Sequence, residues 1–572
     1  MQRLKTDLLI LGSGGAGLFA ALHAHQADPG LHVTIAVKGL FGKCGCTRMV
    51  QGGYNVALAE GDSIERHFMD TIEGGKWLPD QDLAWRLVTG AVERIHELEN
   101  ELGCFFDRNA DGTVHQKAFA GQTFDRTVHK GDLTGIEIIN RLAEQVWARG
   151  IHRLEEHRAL DFIADGDGAL AGVLLMDLRS GDYVLVQARA VLLATGGGPT
   201  MYKFHTPSGD KSCDGLAMAL RFGLPLRDME MVQFHPTGLL AGTGTRMTGT
   251  VLEEGLRGAG GYLLDGNRQR FMTRYDPRGE RATRDIVSRA IFAEMRAGHT
   301  TPNGGVWIGM AHLGPDNVRK QFKGMVERCA DCGFDLAAGL VEVVPTAHYM
   351  MGGVEFGLDC STERMGLFVA GEDSGGVHGA NRLGGNGVAN STVFGGVAGD
   401  HIAAWLRING AWRDPDDSAI AAAVDRAETP FRAASSVSSR GVSDVRERLY
   451  DVMWDDAGIV RDATSLARAD RELASLDHAL RTTGLPPTQP RTYNLAWQDW
   501  LNLANLISVS RVIVHAAQSR ENSRGAHFRA DFPDEGDLAT STFTRIRSAD
   551  AELSVEQVPV RFTRVRPGES LV

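Results

Sequence analysis

The chain has 572 residues, a length that predicts two to four domains. Hydrophobic residues make up 43% of it and charged residues 23%, which is typical of a globular protein and excludes a disordered one. A net charge of −12 without a basic tail excludes a general nucleic-acid binder.

The first residues lead directly into an apolar strand. They contain no signal-like segment, and the chain has no apolar run long enough to span a bilayer. Seven scattered cysteines favour reduced thiols, so we expect a cytoplasmic protein without a membrane span of its own. Cys329 and Cys332 form a lone CxxC, which is weak evidence for zinc, and no metal is predicted.

A glycine-rich turn stands between a buried strand at 7–12 and an apolar helix at 18–24. Glycines in this context allow a tight turn and close approach of backbone N–H groups to a pyrophosphate at the helix N-terminus. The turn therefore predicts dinucleotide binding by Gly12, Ser13, Gly14, Gly15, Ala16 and Gly17.

The second strand, at 33–37, ends in Lys38, where enzymes that bind NAD usually carry an acid for the adenine ribose. Two later strands, at 191–198 and 366–373, end in glycines and acids. Three nucleotide-facing strand ends spread over most of the chain favour FAD, a long ligand in an extended pose, over NAD.

A series of short motifs then runs along the chain, and each one alone could arise by chance. In order they are Gln51-Gly52-Gly53, Asp214-Gly215, Gln233-Phe234-His235-Pro236-Thr237-Gly238, Glu254, Arg257-Gly258, Arg270-Phe271-Met272, Arg284-Asp285, His348-Tyr349, Glu372, Asn381-Arg382-Leu383-Gly384 and Glu521-Asn522-Ser523-Arg524-Gly525-Ala526-His527. In this order they resemble the flavoprotein subunits of succinate dehydrogenase and fumarate reductase, with their relative L-aspartate oxidase.

The resemblance implies an α/β protein with a Rossmann-like FAD-binding domain interrupted by an α+β capping domain. The FAD-binding domain is expected at 1–235 and 348–416, and the cap at 236–347. A helical C-terminal domain and tail would follow at 417–572. The active site is expected between the cap and the FAD-binding domain.

The resemblance also implies the reaction. An FAD-dependent oxidoreductase would interconvert a saturated and an α,β-unsaturated small (di)carboxylic acid, succinate and fumarate or a close analogue, by hydride transfer at flavin N5. His235, His348 and Arg382 match positions that bind carboxylates. Arg284 matches the proton donor, with Glu254 and Arg257 as its relay; the alternative is an Arg–Glu ion pair that only holds the cap together.

Flavin contacts follow from the same resemblance. Besides the glycine-rich turn, they are Lys38, Cys46, Thr47, Gln51, Gly52, Gly53, Ala194, Thr195, Gly196, Asp214, Glu372, Arg382 and Asn386. Cys46 stands where complex-forming members carry a histidine bonded covalently to the flavin. We expect non-covalent FAD, and a thioether through Cys46 is the alternative.

Two positions bear on the substrate. Glu253 replaces a threonine whose hydroxyl helps to bind a carboxylate, and an unpaired carboxylate there would repel a dicarboxylate. A substrate with an amine, amide or hydroxyl would suit Glu253 better, so an oxidase of an amino-dicarboxylate such as aspartate is the alternative function. Phe119 stands where aspartate oxidases carry a glutamate, and it is expected to contact the substrate without binding an ammonium.

The supply of electrons is not encoded in this chain, because no iron–sulfur cysteine pattern is present. Electrons must therefore come from a separate protein, a small carrier or oxygen. The resemblance implies an iron–sulfur partner subunit, through which the protein would be peripheral to the inner face of a membrane.

Overall fold

The computed structural model describes residues 1–432, 436–437, 439–486, 489–549 and 552–572. The strands are β1 (Gln2–Leu11), β2 (Val33–Val37), β3 (Tyr54–Asn55), β4 (Gln116–Lys117), β5 (Thr127–Val128), β6 (His152–Glu155), β7 (His157–Ala164), β8 (Leu170–Asp177), β9 (Tyr183–Leu193), β10 (Leu226–Arg227), β11 (Val232–Leu239), β12 (Tyr262–Leu264), β13 (Val306–Gly309), β14 (Leu340–Met350), β15 (Gly353–Val354), β16 (Leu367–Val369), β17 (Ser436–Val437), β18 (Thr483–Gly484), β19 (Thr542–Ala549) and β20 (Glu552–Pro559). The helices are α1 (Gly15–Ala27), α2 (Ile64–Gly74), α3 (Gln81–Asn100), α4 (Thr134–Ala148), α5 (Asp214–Arg221), α6 (Gly255–Gly258), α7 (Arg284–Arg296), α8 (Pro315–Gln321), α9 (Lys323–Asp331), α10 (Asn386–Asn409), α11 (Asp417–Arg432), α12 (Ser439–Asp455), α13 (Ala463–Thr482) and α14 (Leu495–Ser519).

The central sheet has the strand order β6-β2-β1-β9-β8-β7, and β16 pairs with the end of β9. The strands β6, β2, β1, β9 and β16 are parallel, whereas β8 and β7 are antiparallel to their neighbours. Parallel strands are buried on both faces, which explains the nearly continuous apolar sequence of β1. Leu8 and Ile10 pack towards α1, α3, α4 and α10, while Leu9 and Leu11 pack towards α5 and the C-terminal helices.

The cap has its own sheet and its own core. Its strand order is β11-β14-β13-β12, all antiparallel. A separate apolar cluster, which includes Leu256, Phe271, Ile291 and Met325, fills the space between this sheet and the cap helices. Because β11 enters the cap and β14 leaves it, this one strand pair connects the two domains.

The predicted fold class is confirmed: an FAD-binding α/β domain, a capping domain and a helical C-terminal region are all present. The exact domain boundaries stay a prediction. The tail differs from a purely helical region, because β19 and β20 form a hairpin whose first strand pairs with β10 of the FAD-binding domain. Within the described ranges, no helix is long and apolar enough to cross a bilayer.

Candidate active site

One continuous cavity of about 630 Å³ runs from the end of β1 to the cap. The predicted flavin contacts that line it are Gly12, Ser13, Gly14, Gly15, Ala16, Lys38, Cys46, Thr47, Gln51, Gly52, Gly53, Ala194, Thr195, Gly196, Asp214, Glu372 and Arg382. The predicted substrate and catalytic residues that line it are Phe119, His235, Glu253, Glu254, Arg284, His348 and Arg382. Gly17, Arg257 and Asn386 lie outside the lining.

The glycine-rich turn is packed too tightly for side chains at two positions. Gly12 has φ +113°, and a Cβ there would lie 2.1 Å from the carbonyl oxygen of Ala194. A Cβ on Gly17 would lie 2.1 Å from the carbonyl oxygen of Gly12. Gly17 therefore acts through helix–strand packing, although it does not line the cavity.

The same turn is open towards the cavity at its centre. A Cβ on Gly14 would meet only Thr47 Oγ1, at 3.6 Å. The Ser13 hydroxyl is buried at the cavity wall. The N-terminus of the 13-residue helix α1 lies here. An open backbone and a helix N-terminus fit the pyrophosphate of FAD.

Lys38 and Asp214 form a buried ion pair in the cavity wall. Lys38 Nζ lies 3.0 Å from Asp214 Oδ2 and also donates to Ser212 and Asn502. Burial lowers the pKa of Lys38 to about 8. Burial opposes ionisation of Asp214, but Arg158 and Lys38 hold its pKa below the ordinary value. Because oxygen atoms of the protein already accept hydrogen bonds from the Lys38 ammonium, a direct contact of Lys38 with FAD stays a prediction.

Two acids follow β16. Glu372 Oε1 accepts from the main-chain N–H of Met350 at 3.0 Å, and burial raises the pKa of Glu372 to about 7. Asp373, which sequence reasoning missed as a site residue, accepts from the hydroxyl of Thr195 and the N–H of Gly196. Asp373 therefore fixes the glycine turn after β9. Its position next to Glu372 is the sequence feature that could have identified it as a site residue.

Cys46 and Asn386 differ in their relation to the cavity. Cys46 lines it, and burial raises the pKa of its thiol to about 12, which makes the thiol a weak nucleophile at neutral pH. The side chain of Asn386 lies outside, where Asn55 and His67 contact its Oδ1. Asn386 thus supports the start of α10, and a side-chain contact with FAD stays a prediction.

At the cap end, two arginines share one neutral acceptor. Gln233 Oε1 accepts from Arg284 Nη1 at 3.0 Å and from Arg382 Nη2 at 3.2 Å. Arg382 also lies over the ring of Tyr349, and its buried Nε has no partner among the described residues. Burial lowers the pKa of Arg382 to about 10, so it stays a cation at neutral pH. Its free donor faces no protein acceptor and is available to an anion.

Arg284 is joined to the predicted relay. Its Nη2 and Nε donate to Glu254 Oε2 at 2.7 and 3.1 Å. Arg257 Nη2 lies 3.3 Å from Glu254 Oε1, behind the cavity wall. Burial opposes ionisation of Glu254, but the two arginines lower its pKa below the ordinary value. The three relay residues are therefore in direct contact, with the carboxylate between two guanidinium groups.

The two histidines lie on the neighbouring strands β11 and β14, with ring centroids 5.4 Å apart. Burial and then the charge of Arg284 lower the pKa of both rings well below 6.5, so both are neutral at pH 7. His235 Nδ1 accepts from the N–H of Thr237 at 3.3 Å, which leaves the proton on Nε2. His235 is thus a neutral ring that lines the cavity and carries its proton on Nε2.

Glu253 has a cationic partner that sequence reasoning missed. Lys117 Nζ lies 3.3 Å from Glu253 Oε2, and both side chains are largely buried. Burial raises the pKa of Glu253, while Lys117 opposes that shift. Nearby, the ring of Phe119 fits between Gly52 and Gly384, where added Cβ atoms would lie 2.4 and 2.6 Å from it.

The arginines at this end are unequally neutralised. Glu254 pairs with Arg284, and Lys117 pairs with Glu253. Arg328 and Arg382 line the cavity without an ion-pair partner in the described part of the chain. Both histidines are neutral. A buried guanidinium without a carboxylate partner suits an anionic ligand.

The glycine-rich turn at 12–17, here called the FAD cradle, lies in the same cavity as the arginine-lined chamber at the cap end. This combination defines an FAD-dependent oxidoreductase. A family model described as FAD binding domain matches residues 7–388, and one described as fumarate reductase flavoprotein C-term matches 446–571. With this match, the chain belongs to the flavoprotein subunit family of succinate dehydrogenase and fumarate reductase. FAD is its cofactor.

Individual relatives agree with this assignment. One subunit of the fumarate reductase (CoM/CoB) of Methanothermobacter marburgensis is 39% identical, over 93% of this chain and 95% of that protein. The fumarate reductase flavoprotein subunit of Escherichia coli is 34% identical, over 100% and 96%. A solved structure of E. coli quinol fumarate reductase has a TM-score of 0.92 and 32% identity, covering 100% of this chain and 99% of that one.

Proposed function

We propose that the protein interconverts a saturated and an α,β-unsaturated small dicarboxylic acid, with succinate and fumarate or a close analogue as the pair. One observation carries the proposal: the cavity that contains the FAD cradle continues to His235, His348 and Arg382, and the buried Arg382 has no carboxylate partner among the described residues. Relatives named as fumarate reductase subunits support the same reaction.

Binding of the dianion is assigned to Arg382, His235 and His348. Arg382 offers its unpartnered Nε–H, and a charge-assisted hydrogen bond from a buried guanidinium to a carboxylate contributes about 1.5–3 kcal/mol. The neutral His235 ring donates from Nε2. Phe119, fixed between two glycines, supplies an apolar wall that holds the carbon chain.

Proton transfer is assigned to Arg284. FAD bound in this cavity would supply or accept the hydride. Arg284 Nη then donates the proton to the neighbouring substrate carbon, and Glu254, at 2.7 Å, returns a proton drawn from Arg257. The Arg284 side chain is only 8% exposed, so bulk water does not compete for this step.

The alternative function, oxidation of an amino-dicarboxylate, depended on a free carboxylate at Glu253. Because Lys117 already pairs with that carboxylate, an ammonium ion is not needed to neutralise it. Formation of hydrogen peroxide with aspartate under air would support the oxidase instead.

For electron supply, we propose a separate iron–sulfur subunit. Support comes from relatives named as subunits of fumarate reductases. Such a partner would hold the protein on the cytoplasmic face of a membrane.

The test is a stopped-flow measurement on the holoenzyme reduced with dithionite under argon. Fumarate is expected to reoxidise the flavin of the wild type. In Arg284→Lys, reoxidation should slow by about 10²–10⁴-fold while fumarate still perturbs the flavin spectrum, because binding is kept and the proton donor is lost. Arg289→Lys, five residues further along α7, is the matched control and should behave like the wild type. Full-rate reoxidation in Arg284→Lys would contradict the assigned role, and no response of the wild type would contradict the proposed function.

A further inference from the structure

The proposed proton relay ends at Arg257, which has no direct connection to solvent. Each reduction consumes one proton, and Arg284 takes it from Glu254 and Arg257. The Arg257 side chain is only 1% exposed and does not line the cavity. A repeated reaction therefore needs a further path that brings protons to Arg257.

Contacts of Arg257 lead outwards through the cap. Its Nη1 donates to the main-chain oxygen of Glu280 at 2.7 Å. The Glu280 carboxylate, 4% exposed, accepts from Arg270 Nε at 2.9 Å and also from Arg270 Nη2. Arg270 is 41% exposed. Arginine and glutamate thus alternate from the cavity to the surface in the order Arg284, Glu254, Arg257, Glu280, Arg270.

The outer pair is held more firmly than an ordinary surface ion pair. Arg270 binds Glu280 through two nitrogens, and its guanidinium lies 4.1 Å from the ring centroid of Tyr262. Tyr262 in turn stacks on His312, with centroids 3.8 Å apart and planes 6° apart. Exposed ion pairs are usually mobile and contribute little to stability. The contacts of Arg270 with Glu280 and Tyr262 therefore indicate that its guanidinium is held in a specific position.

Arg257 also has an unused donor. Its buried Nε has no hydrogen-bond partner among the described residues, which leaves one N–H for a water molecule. The Glu280 carboxylate is close enough to raise the pKa of Arg257, against the larger lowering by burial. Arg257 and Glu280 are therefore electrostatically coupled in addition to their main-chain hydrogen bond.

We propose that Glu280 and Arg270 form the solvent end of the proton path, with Glu280 passing protons to Arg257 and Arg270 positioning Glu280. This inference rests on the proposed function. In each turnover one proton leaves Arg284 Nη for the substrate carbon and is replaced through Glu254 from Arg257. Arg257 regains its proton from surface water by way of Glu280, and the buffer neutralises the hydroxide. The hydride carries the electron pair, so no other oxidant or reductant enters.

A purely structural pair is the alternative, and the cap offers a matched control. Arg274 Nη2 lies 2.7 Å from Glu294 Oε1, and their side chains are 52% and 3% exposed. This pair has the same chemistry and burial as Arg270 and Glu280, but it has no contact with the relay.

The experiment compares Arg270→Gln, Arg270→Lys, Glu280→Gln and Arg274→Gln as holoenzymes reducing fumarate. In Arg270→Gln and Glu280→Gln, kcat should fall at least about tenfold with KM unchanged, because proton supply becomes rate-limiting. The solvent deuterium isotope effect on kcat should rise, and added imidazole should restore turnover. Arg270→Lys should retain more activity, and Arg274→Gln should match the wild type in all three measurements.

Wild-type kcat and isotope effect in both Arg270→Gln and Glu280→Gln would overturn the path. A loss of activity that follows a lower melting temperature, and that imidazole does not restore, would show a structural pair and would also overturn it. A wild type that cannot reduce fumarate would instead overturn the proposed function, so the two failures are distinguishable.

Discussion

The carboxylate of Glu253 faces a chamber that we propose binds a dianion, and it lies 3.3 Å from the ammonium of Lys117. Two opposite charges at this distance in a largely buried place interact strongly. Removing one partner leaves the other uncompensated, and the cost of an unpaired buried charge exceeds the net value of the pair. Substrate affinity should therefore respond differently to the loss of Lys117 and to the loss of Glu253.

Lys117→Met should raise KM for a dicarboxylate roughly tenfold, or about 1.4 kcal/mol, because it leaves Glu253 to repel the substrate. Glu253→Thr should leave KM unchanged or lower it, because Lys117 then adds a free cation. The double variant should return towards the wild type, and steady-state kinetics on all four proteins gives the coupling energy. Additive effects of the two substitutions would show that the residues act independently.

Cys46 gives a second residue-level prediction. Because burial raises its pKa to about 12, we expect no thioether to the flavin. After acid precipitation the yellow colour should remain in the supernatant, and Cys46→Ser should bind as much FAD as the wild type. Colour retained on the precipitated wild-type chain, and lost in Cys46→Ser, would instead demonstrate a covalent bond.

The sequence motifs predicted chemically distinctive residues at fixed positions, and the fold brings most of them to one cavity. His235, His348, Arg284 and Arg382 each lie in a short motif, and all four line one cavity. Lys117 could not be predicted as the partner of Glu253. The two residues are distant in sequence and meet only because β4 lies against the cap, a contact that local sequence does not encode.

At the scale of elements, the pairing of β11 with β14 sets the geometry of the two histidines. His235 lies opposite Thr346, and the register shifts between Gln233 and Phe234 and again between His235 and Gly238. Such irregularities redirect side chains next to active sites. They allow Gln233 to bridge two arginines while His235, two residues further along, faces the same chamber.

The strand–turn–helix of β1 and α1 gives a prediction that separates packing from cofactor binding. Gly12→Ala should lower the melting temperature of the apoprotein by several degrees, because its Cβ would lie 2.1 Å from a carbonyl oxygen and φ is positive. Gly14→Ala should leave the apoprotein stable and weaken FAD binding, because its Cβ enters open space. Calorimetry of the apoproteins and FAD titration measure the two effects; equal melting temperatures of the two variants would contradict the packing argument.

Elements near the N-terminus were predictable because a buried parallel strand, a glycine turn and a helix follow each other locally. The C-terminal hairpin was not. Its first strand pairs with β10, so that Leu226 lies opposite Ile546, and the short β10 carries too few residues for a periodicity signal.

For the whole molecule, buried neutral histidines link stability to pH. Burial lowers the pKa of His67 to about 4 and that of His378 to about 3, against 6.5 for an exposed ring. The unfolded chain therefore binds protons first as pH falls. The stability that these rings contribute is complete above about pH 6.5 and is lost progressively towards pH 4 and 3.

The melting temperature of the wild type should therefore fall as the pH is lowered from about 7 to 4. Protonation of His67 should account for a loss of roughly 3 kcal/mol in the free energy of unfolding over this range. His67→Gln keeps a donor for Asn386 but does not titrate, so its melting temperature should fall less steeply over the same range. Parallel curves for the two proteins would show that His67 does not contribute to the pH dependence.

The cap enters and leaves the FAD-binding domain through two hydrogen-bonded neighbours, β11 and β14. The chain therefore enters and leaves the cap at adjacent positions, as it does in an inserted domain. After removal of such a domain, a short turn can join the two chain ends. For engineering, this makes the cap exchangeable: a different α+β insert can be grafted beyond Gly238 and Val344 without moving the FAD cradle. Such a graft would replace Arg284 and Glu253, while His235, His348 and Arg382 remained in the recipient domain.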